Sequence, residues 1–316
     1  MIKLRQILCP IDFSALSRRA LDHAANLARL HIAEVTCLHA APHVTVSWLP
    51  SDAGLGLASP DVTSELEARL VRFVQPALGR GVTVNTVVVP GDPASSIIAS
   101  VDALPADLLV MGIRRQAGVE RLLLGSVAER VLQRAGCPVL TVPGGNVSTP
   151  ASSPDAFRRI LCAVDFSKAS LAGVRYGASL AALAPGSSLT LIHVDDLVGR
   201  LGLSGPVRNE LMRSHGSVKR KLLGLLPEVV PDGTPNWVRA EAAVALGAPS
   251  SEVLRAAREW QADLIVVGKT FRRPFHRLFH SSTLRPLLRK APCPVLAVGA
   301  PAQVAEGGHH EGRHAA

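Results

Sequence analysis

Ile7-Leu8-Cys9-Pro10-Ile11-Asp12-Phe13-Ser14 returns later in the chain as Ile160-Leu161-Cys162-Ala163-Val164-Asp165-Phe166-Ser167, and the fold follows from that echo. Each copy is a short apolar run that closes on an aspartate and a serine. Continuous runs of this length suit strands buried on both faces of a parallel sheet, and the serine supplies an N-cap for a following helix. After Ser14, the residues Leu16, Ala20, Leu21, Ala24, Leu27 and Ala28 recur at three- and four-residue spacing, as one buried helical face requires. A strand leading into a helix is therefore written twice.

Two further blocks repeat in the same order. Ala106-Asp107-Leu108-Leu109-Val110-Met111-Gly112 returns as Ala262-Asp263-Leu264-Ile265-Val266-Val267-Gly268, and Cys137-Pro138-Val139-Leu140 returns as Cys293-Pro294-Val295-Leu296. Nearly constant spacing across all three pairs indicates duplication with one small net insertion in the second copy. Between the copies, Pro143 to Pro154 is small, polar and proline-rich, the character of a linker. The expected organisation is a first domain over 1–143, a linker over 144–157, a second domain over 158–300 and a disordered tail over 301–316. The tail histidines His309, His310 and His314 fit a solvated end better than a metal site.

Within the first copy the pattern predicts strands at Ile7 to Ile11, Val35 to His39, Val82 to Val89, Leu108 to Met111 and Val139 to Val142. Helices are expected after Ser14, over Glu65 to Leu78, from Pro93 and over Val127 to Gln133. The second copy predicts strands at Ile160 to Val164, Leu189 to His193, Trp237 to Glu241, Leu264 to Val267 and Val295 to Val298. Strict alternation of strand and helix gives an α/β fold class, two tandem doubly wound domains, each a five-stranded parallel sheet flanked by helices.

Composition narrows the function classes. The 316 residues are 47% hydrophobic, with no stretch near the roughly 18 apolar residues of a membrane span. The N-terminus has no long apolar run after its charges, so a cytoplasmic protein without membrane association is expected. Five cysteines without a C-x-x-C pair fit buried reduced thiols rather than a disulfide framework or a zinc site. The net charge of +9 is scattered over both halves and only 3% of residues are aromatic, so no nucleic-acid partner is expected.

Open parallel sheets bind ligands at the carboxyl ends of their strands, which brings Asp12, His39-Ala40 and Gly112 together. From Gly112 the chain runs through a glycine-bearing loop to Gly125-Ser126 at a helix start, where backbone amides and a hydroxyl suit an anion. The plainer reading is that these glycines turn the chain and Ser126 caps the helix. Position directly after a parallel strand favours the ligand. His39 and His193 occupy matching positions and read as strand ends, and Arg272, Arg273, His276 and Arg277 read as the flank of an amphipathic segment.

The segment from Asp107 to Val142, together with Ile7 to Ser14, resembles the universal stress protein family, and both halves resemble it throughout. ATP-binding members of that family carry G-x2-G-x9-G-S/T after the fourth strand. Gly112, Gly125 and Ser126 stand in that register, with Arg115 at the second glycine. By resemblance, Pro10, Ile11 and Asp12 would line an adenosine, the Ala40 backbone would meet the adenine, and Gly112, Gly125, Ser126 and Val127 would hold phosphates. Arg115 replaces bare backbone with a long side chain whose guanidinium offers a phosphate pair instead. In the second half the register holds Gly268, Phe271, Ser281 and Ser282, a degenerate motif.

The cofactor implied is ATP in the first domain, with Mg accompanying it. No nucleophile elbow, H-E-x-x-H or Walker lysine appears, so no catalytic residues are assigned. The resemblance implies a stress-response sensor or regulator that binds an adenine nucleotide; the Arg115 and Ser281 replacements support the alternative of a nucleotide-free scaffold for protein partners, and a weak ATP hydrolase is the third reading. In this family the last strand pairs domains, so pairing of the two halves within one chain is expected, and a homodimer is the further option.

Overall fold

Ser14 and Ser167, the residues that close the repeated motif, each cap a helix. Ser14 Oγ accepts from the Ser17 amide and Ser167 Oγ from the Ser170 amide, both at 3.2 Å. The computed structural model describes residues 2–41, 60–79, 81–114, 125–144, 157–196, 206–229, 239–269 and 283–300.

The first half runs β1 (Gln6–Pro10), α1 (Ala15–His31), β2 (Glu34–Ala41), α2 (Pro60–Leu78), β3 (Val84–Pro90), α3 (Pro93–Ala103), β4 (Leu108–Ile113), α4 (Ser126–Arg134) and β5 (Val139–Pro143). The second runs β6 (Arg159–Ala163), α5 (Lys168–Ala181), β7 (Ser188–Asp195), α6 (Pro206–Val229), β8 (Arg239–Leu246), α7 (Pro249–Glu259), β9 (Leu264–Lys269), α8 (Leu284–Lys290) and β10 (Val295–Gly299). The repeated Ala-Asp-Leu block has a structural use in both halves. Asp107 accepts the Arg5 and Gln6 amides at 2.7 and 3.0 Å, and Asp263 accepts the Arg158 and Arg159 amides at 2.9 Å. Each aspartate thus pins the start of its first strand beside the fourth.

All ten strands form one sheet in the order β3-β2-β1-β4-β5-β10-β9-β6-β7-β8. Every pairing is parallel except β5 with β10, where the two halves meet antiparallel. There Leu140 faces Leu296, its own counterpart in the repeat, flanked by Val139 opposite Ala297 and Thr141 opposite Val295. The seam is therefore a pseudo-twofold axis. Helices α1, α2, α5 and α6 bury their apolar faces on one side of the sheet. Helices α3, α4, α7 and α8 bury theirs on the other, and both cores run through both halves. Two five-stranded parallel sheets flanked by helices are the arrangement that the repeat predicts.

β8 lies later than the predicted Trp237 to Glu241, because Ala240, Ala242, Ala243 and Ala245 pair along β7 although alanine has little strand preference of its own. α2 begins five residues before the predicted Glu65, at Pro60. Among the described residues, no helix is long and apolar enough to cross a membrane. The tail over 301–316 and nearly all of the linker lie outside the described residues.

Candidate nucleotide cleft

β1 ends at Pro10, and the chain then turns sharply into α1 through Asp12-Phe13-Ser14. Phe13 takes the left-handed conformation at φ 58°, and Phe166 repeats it at 61°. Such angles are costly for a bulky side chain and persist where surrounding contacts impose them. Here the turn is held by Asp12 Oδ1, which accepts both the Ser14 amide at 3.0 Å and the Ser14 hydroxyl. The displaced Phe13 ring lies against His39, with centroids 4.5 Å apart.

Asp12 Oδ2 faces the Arg114 guanidinium at 3.8 Å, both side chains being exposed. Partial burial pushes the Asp12 carboxyl up, but hydrogen bonds from Ser14 and Ser17, with Arg114 nearby, outweigh it and leave the group below its ordinary value. An ionised carboxylate therefore stands at the end of β1. His39 Nδ1 lies 2.8 Å from the Ile11 carbonyl oxygen, which can only accept. The ring therefore donates from Nδ1.

These groups line a cleft of about 330 Å³ across the carboxyl ends of β1, β2 and β4. Its walls are largely apolar, from Pro10, Ile11, Leu38, Ile97, Met111 and Ile113. Gly125, Ser126 and Val127 at the start of α4 line the same cleft as Asp12. Gly125 is the N-cap of α4 and makes no side-chain cap hydrogen bond. The N-cap residue thus offers the first amides of that helix no side chain, at the end where the helix dipole is positive. Arg130, on α4, binds Asp92 at 2.8 Å and ties α4 to the start of α3.

Of the residues singled out in the sequence, Pro10, Ile11, Asp12, Ala40, Gly112, Gly125, Ser126 and Val127 all line this one cleft. Arg115 lies outside the described residues, as do Phe271, Ser281 and Ser282. His39, placed with Asp12 and Gly112 at the strand ends, lines it too, and Arg114 and the α3 residues Pro93 and Ile97 also line it without having been assigned there. Arg114 was legible as the neighbour of Gly112. The α3 residues were not, because their position depends on how α3 crosses back over the sheet.

The glycines divide in two. A Cβ on Gly112 would meet the Leu16 carbonyl oxygen at 2.8 Å, so bare backbone is required there for α1 to approach β4. Gly268 keeps the same requirement, with the Ser170 amide nitrogen at 2.6 Å, although its half has lost the motif. Among the described residues a Cβ on Gly125 meets nothing within 4 Å, and its φ of −53° suits any residue. The described residues explain Gly112 and leave Gly125 unexplained.

The second half repeats the framework. Asp165 accepts the Ser167 amide at 3.0 Å, and His193 Nδ1 lies 2.7 Å from the Val164 carbonyl oxygen. All five cysteines are buried as free thiols. Burial pushes Cys37 up to about 12 and Cys137 up to about 11, which removes thiolate chemistry near neutral pH.

The model described as the universal stress protein family matches residues 3–143 and again residues 156–299. A universal stress protein of Mycolicibacterium smegmatis is 29% identical over 299 residues, covering 92% of this chain and 96% of its own length. One from Methanocaldococcus jannaschii is 37% identical over 138 residues, 44% of this chain and 81% of that protein. Among solved structures, a universal stress protein from Archaeoglobus fulgidus matches with a TM-score of 0.68 at 21% identity, covering 95% of this chain and all (100%) of the other, a likeness of fold.

Proposed function

Because the chain belongs to the universal stress protein family through both of its halves, we propose that its first domain binds ATP or a related adenine nucleotide and that the protein acts as a cytoplasmic sensor or regulator. The observation that carries this reading is Gly125. It opens a helix start with no side-chain cap onto an apolar cleft, and no described residue stands where a side chain at that position would go.

The cleft suits each part of such a ligand. Apolar walls accept a flat base, with the Ala40 backbone at its edge. The ionised Asp12 accepts sugar hydroxyls, and the amides of Ser126 and Val127 face phosphate oxygens. Arg114 sits within reach of Asp12, where its guanidinium can turn to a phosphate when a sugar takes that carboxylate. Asp12 is the one carboxylate among the described residues that line the cleft. A magnesium ion would therefore enter with the ligand, held mainly by phosphate oxygens and water.

The test is to denature the purified protein and identify any released nucleotide, then titrate ATP into the wild type and a Gly125→Arg variant. Saturable binding that the variant loses is expected. No released nucleotide together with no titration would remove the reading and leave the nucleotide-free scaffold, which the Arg115 and Ser281 replacements in the motif favour. Phosphate release above background that disappears in the same variant would identify a weak hydrolase.

A further inference from the structure

Position 113, the last of β4, is isoleucine in the first half, and the same place in the repeat is Lys269, the last residue of β9. Lys269 is 4% exposed. Its Nζ donates to the carbonyl oxygens of Ala135 and Cys137, both at 3.0 Å. Those carbonyls belong to the first half: Ala135 is the C-cap of α4, and Cys137 lies just beyond it. A cation from the second domain thus sits at the negative end of the helix whose positive end faces the cleft. Burial pulls the ammonium down to about 8, so it remains mostly protonated near neutral pH.

A second contact falls on the same helix. Glu129, in the first turn of α4, pairs with Arg285 of α8 at 2.6 Å. The two residues occupy equivalent places in the repeat and meet across the pseudo-twofold seam. The lysine contact is one-sided, since its counterpart is Ile113, and the ion pair lies on the seam with its cation in the second half. The half that has lost the motif supplies the lysine and the arginine, and the half that keeps it receives them.

We propose that Lys269 and Arg285 are positioning residues for the cleft: the second domain grips α4 at its carboxyl end and first turn, and thereby fixes the amides that face an anion. The functional part rests on the nucleotide reading. α4 has nine residues, so its two ends lie about 13 Å apart, and a tilt at one end is delivered to the other. The phosphate end of the ligand should therefore depend on the second domain, while the base and sugar, held by β1 and β2, should not.

The test uses the full chain with Lys269→Met, Arg285→Gln and both together. Methionine keeps the buried space filled, and glutamine stands at a partly exposed site, so the single variants keep the test readable if the double variant does not fold. ATP and adenosine are titrated separately, and amide hydrogen exchange along α4 is followed without ligand. The double variant should lose about tenfold in ATP affinity and less than about twofold in adenosine affinity, with exchange along α4 accelerated. Equal losses for the two ligands, or unchanged exchange along α4, would overturn the positioning role. If the wild type binds neither ligand, the nucleotide reading fails, and the exchange measurement alone decides whether the second domain holds α4.

Discussion

Replacing Gly112 by alanine drives a Cβ into the Leu16 backbone, so Gly112→Ala should cost about 2 kcal/mol or more, measured as a lowered urea midpoint. Gly125→Ser should do the opposite. Its hydroxyl meets no obstacle among the described residues and can cap the first amides of α4, adding roughly 0.3 kcal/mol of stability. The same hydroxyl then occupies the amides meant for phosphate, so ATP affinity should fall as the midpoint rises. A variant in which both rise together would contradict the assignment. His23 gives a third handle at this scale. Its ring stacks on Phe157, the last linker residue before the second half, at 5.9 Å and 10°. Burial first, and Arg19 second, bring it from 6.5 down to about 4. The unfolded chain therefore takes the proton first. The stabilisation is complete above pH 6.5 and is lost as pH falls through about 4, by at most about 3 kcal/mol. His23→Phe keeps a stacked ring that does not titrate, so its loss of stability between pH 7 and 4.5 should be smaller than that of the wild type. Equal losses would exclude His23 as the source.

Helix α4 is the element on which the candidate function turns. Glu129→Arg places two guanidinium groups together and should cost about 1 kcal/mol, since the pair is partly exposed. Glu129→Arg with Arg285→Glu should restore most of that, read as coupling in a double-mutant cycle of urea midpoints. How far α4 was legible in the sequence depends on the contact. Its start was, because Gly125-Ser126 follows a parallel strand at a recognisable spacing. Its anchoring was not, because a lysine at a strand end reads as solvated, and Lys269 meets Ala135 and Cys137 only after two distant strands have paired antiparallel. β8 shows the same limit: its alanines carry no strand signal alone and become a strand by registering on β7.

At the scale of the whole molecule, the repeat made both parallel sheets readable, since each motif sits at a strand end or helix start in either half. What it left open was how the halves differ in what they contribute to each other. The seam joins counterpart strands, and Ile2 of the first half donates to Ser179 of the second at 3.0 Å, so the halves touch on both sides of the sheet. At the seam, a pairing of two first halves would set Glu129 against Glu129, and two second halves would set Arg285 against Arg285. Only the mixed pair matches unlike charges. The covalent connection is then dispensable for recognition. Fragments 1–143 and 157–300, produced separately and mixed, should complement each other as a one-to-one heterodimer in sedimentation, in preference to either homodimer. The protein would in that sense be a two-subunit complex whose subunits happen to be translated in one reading frame.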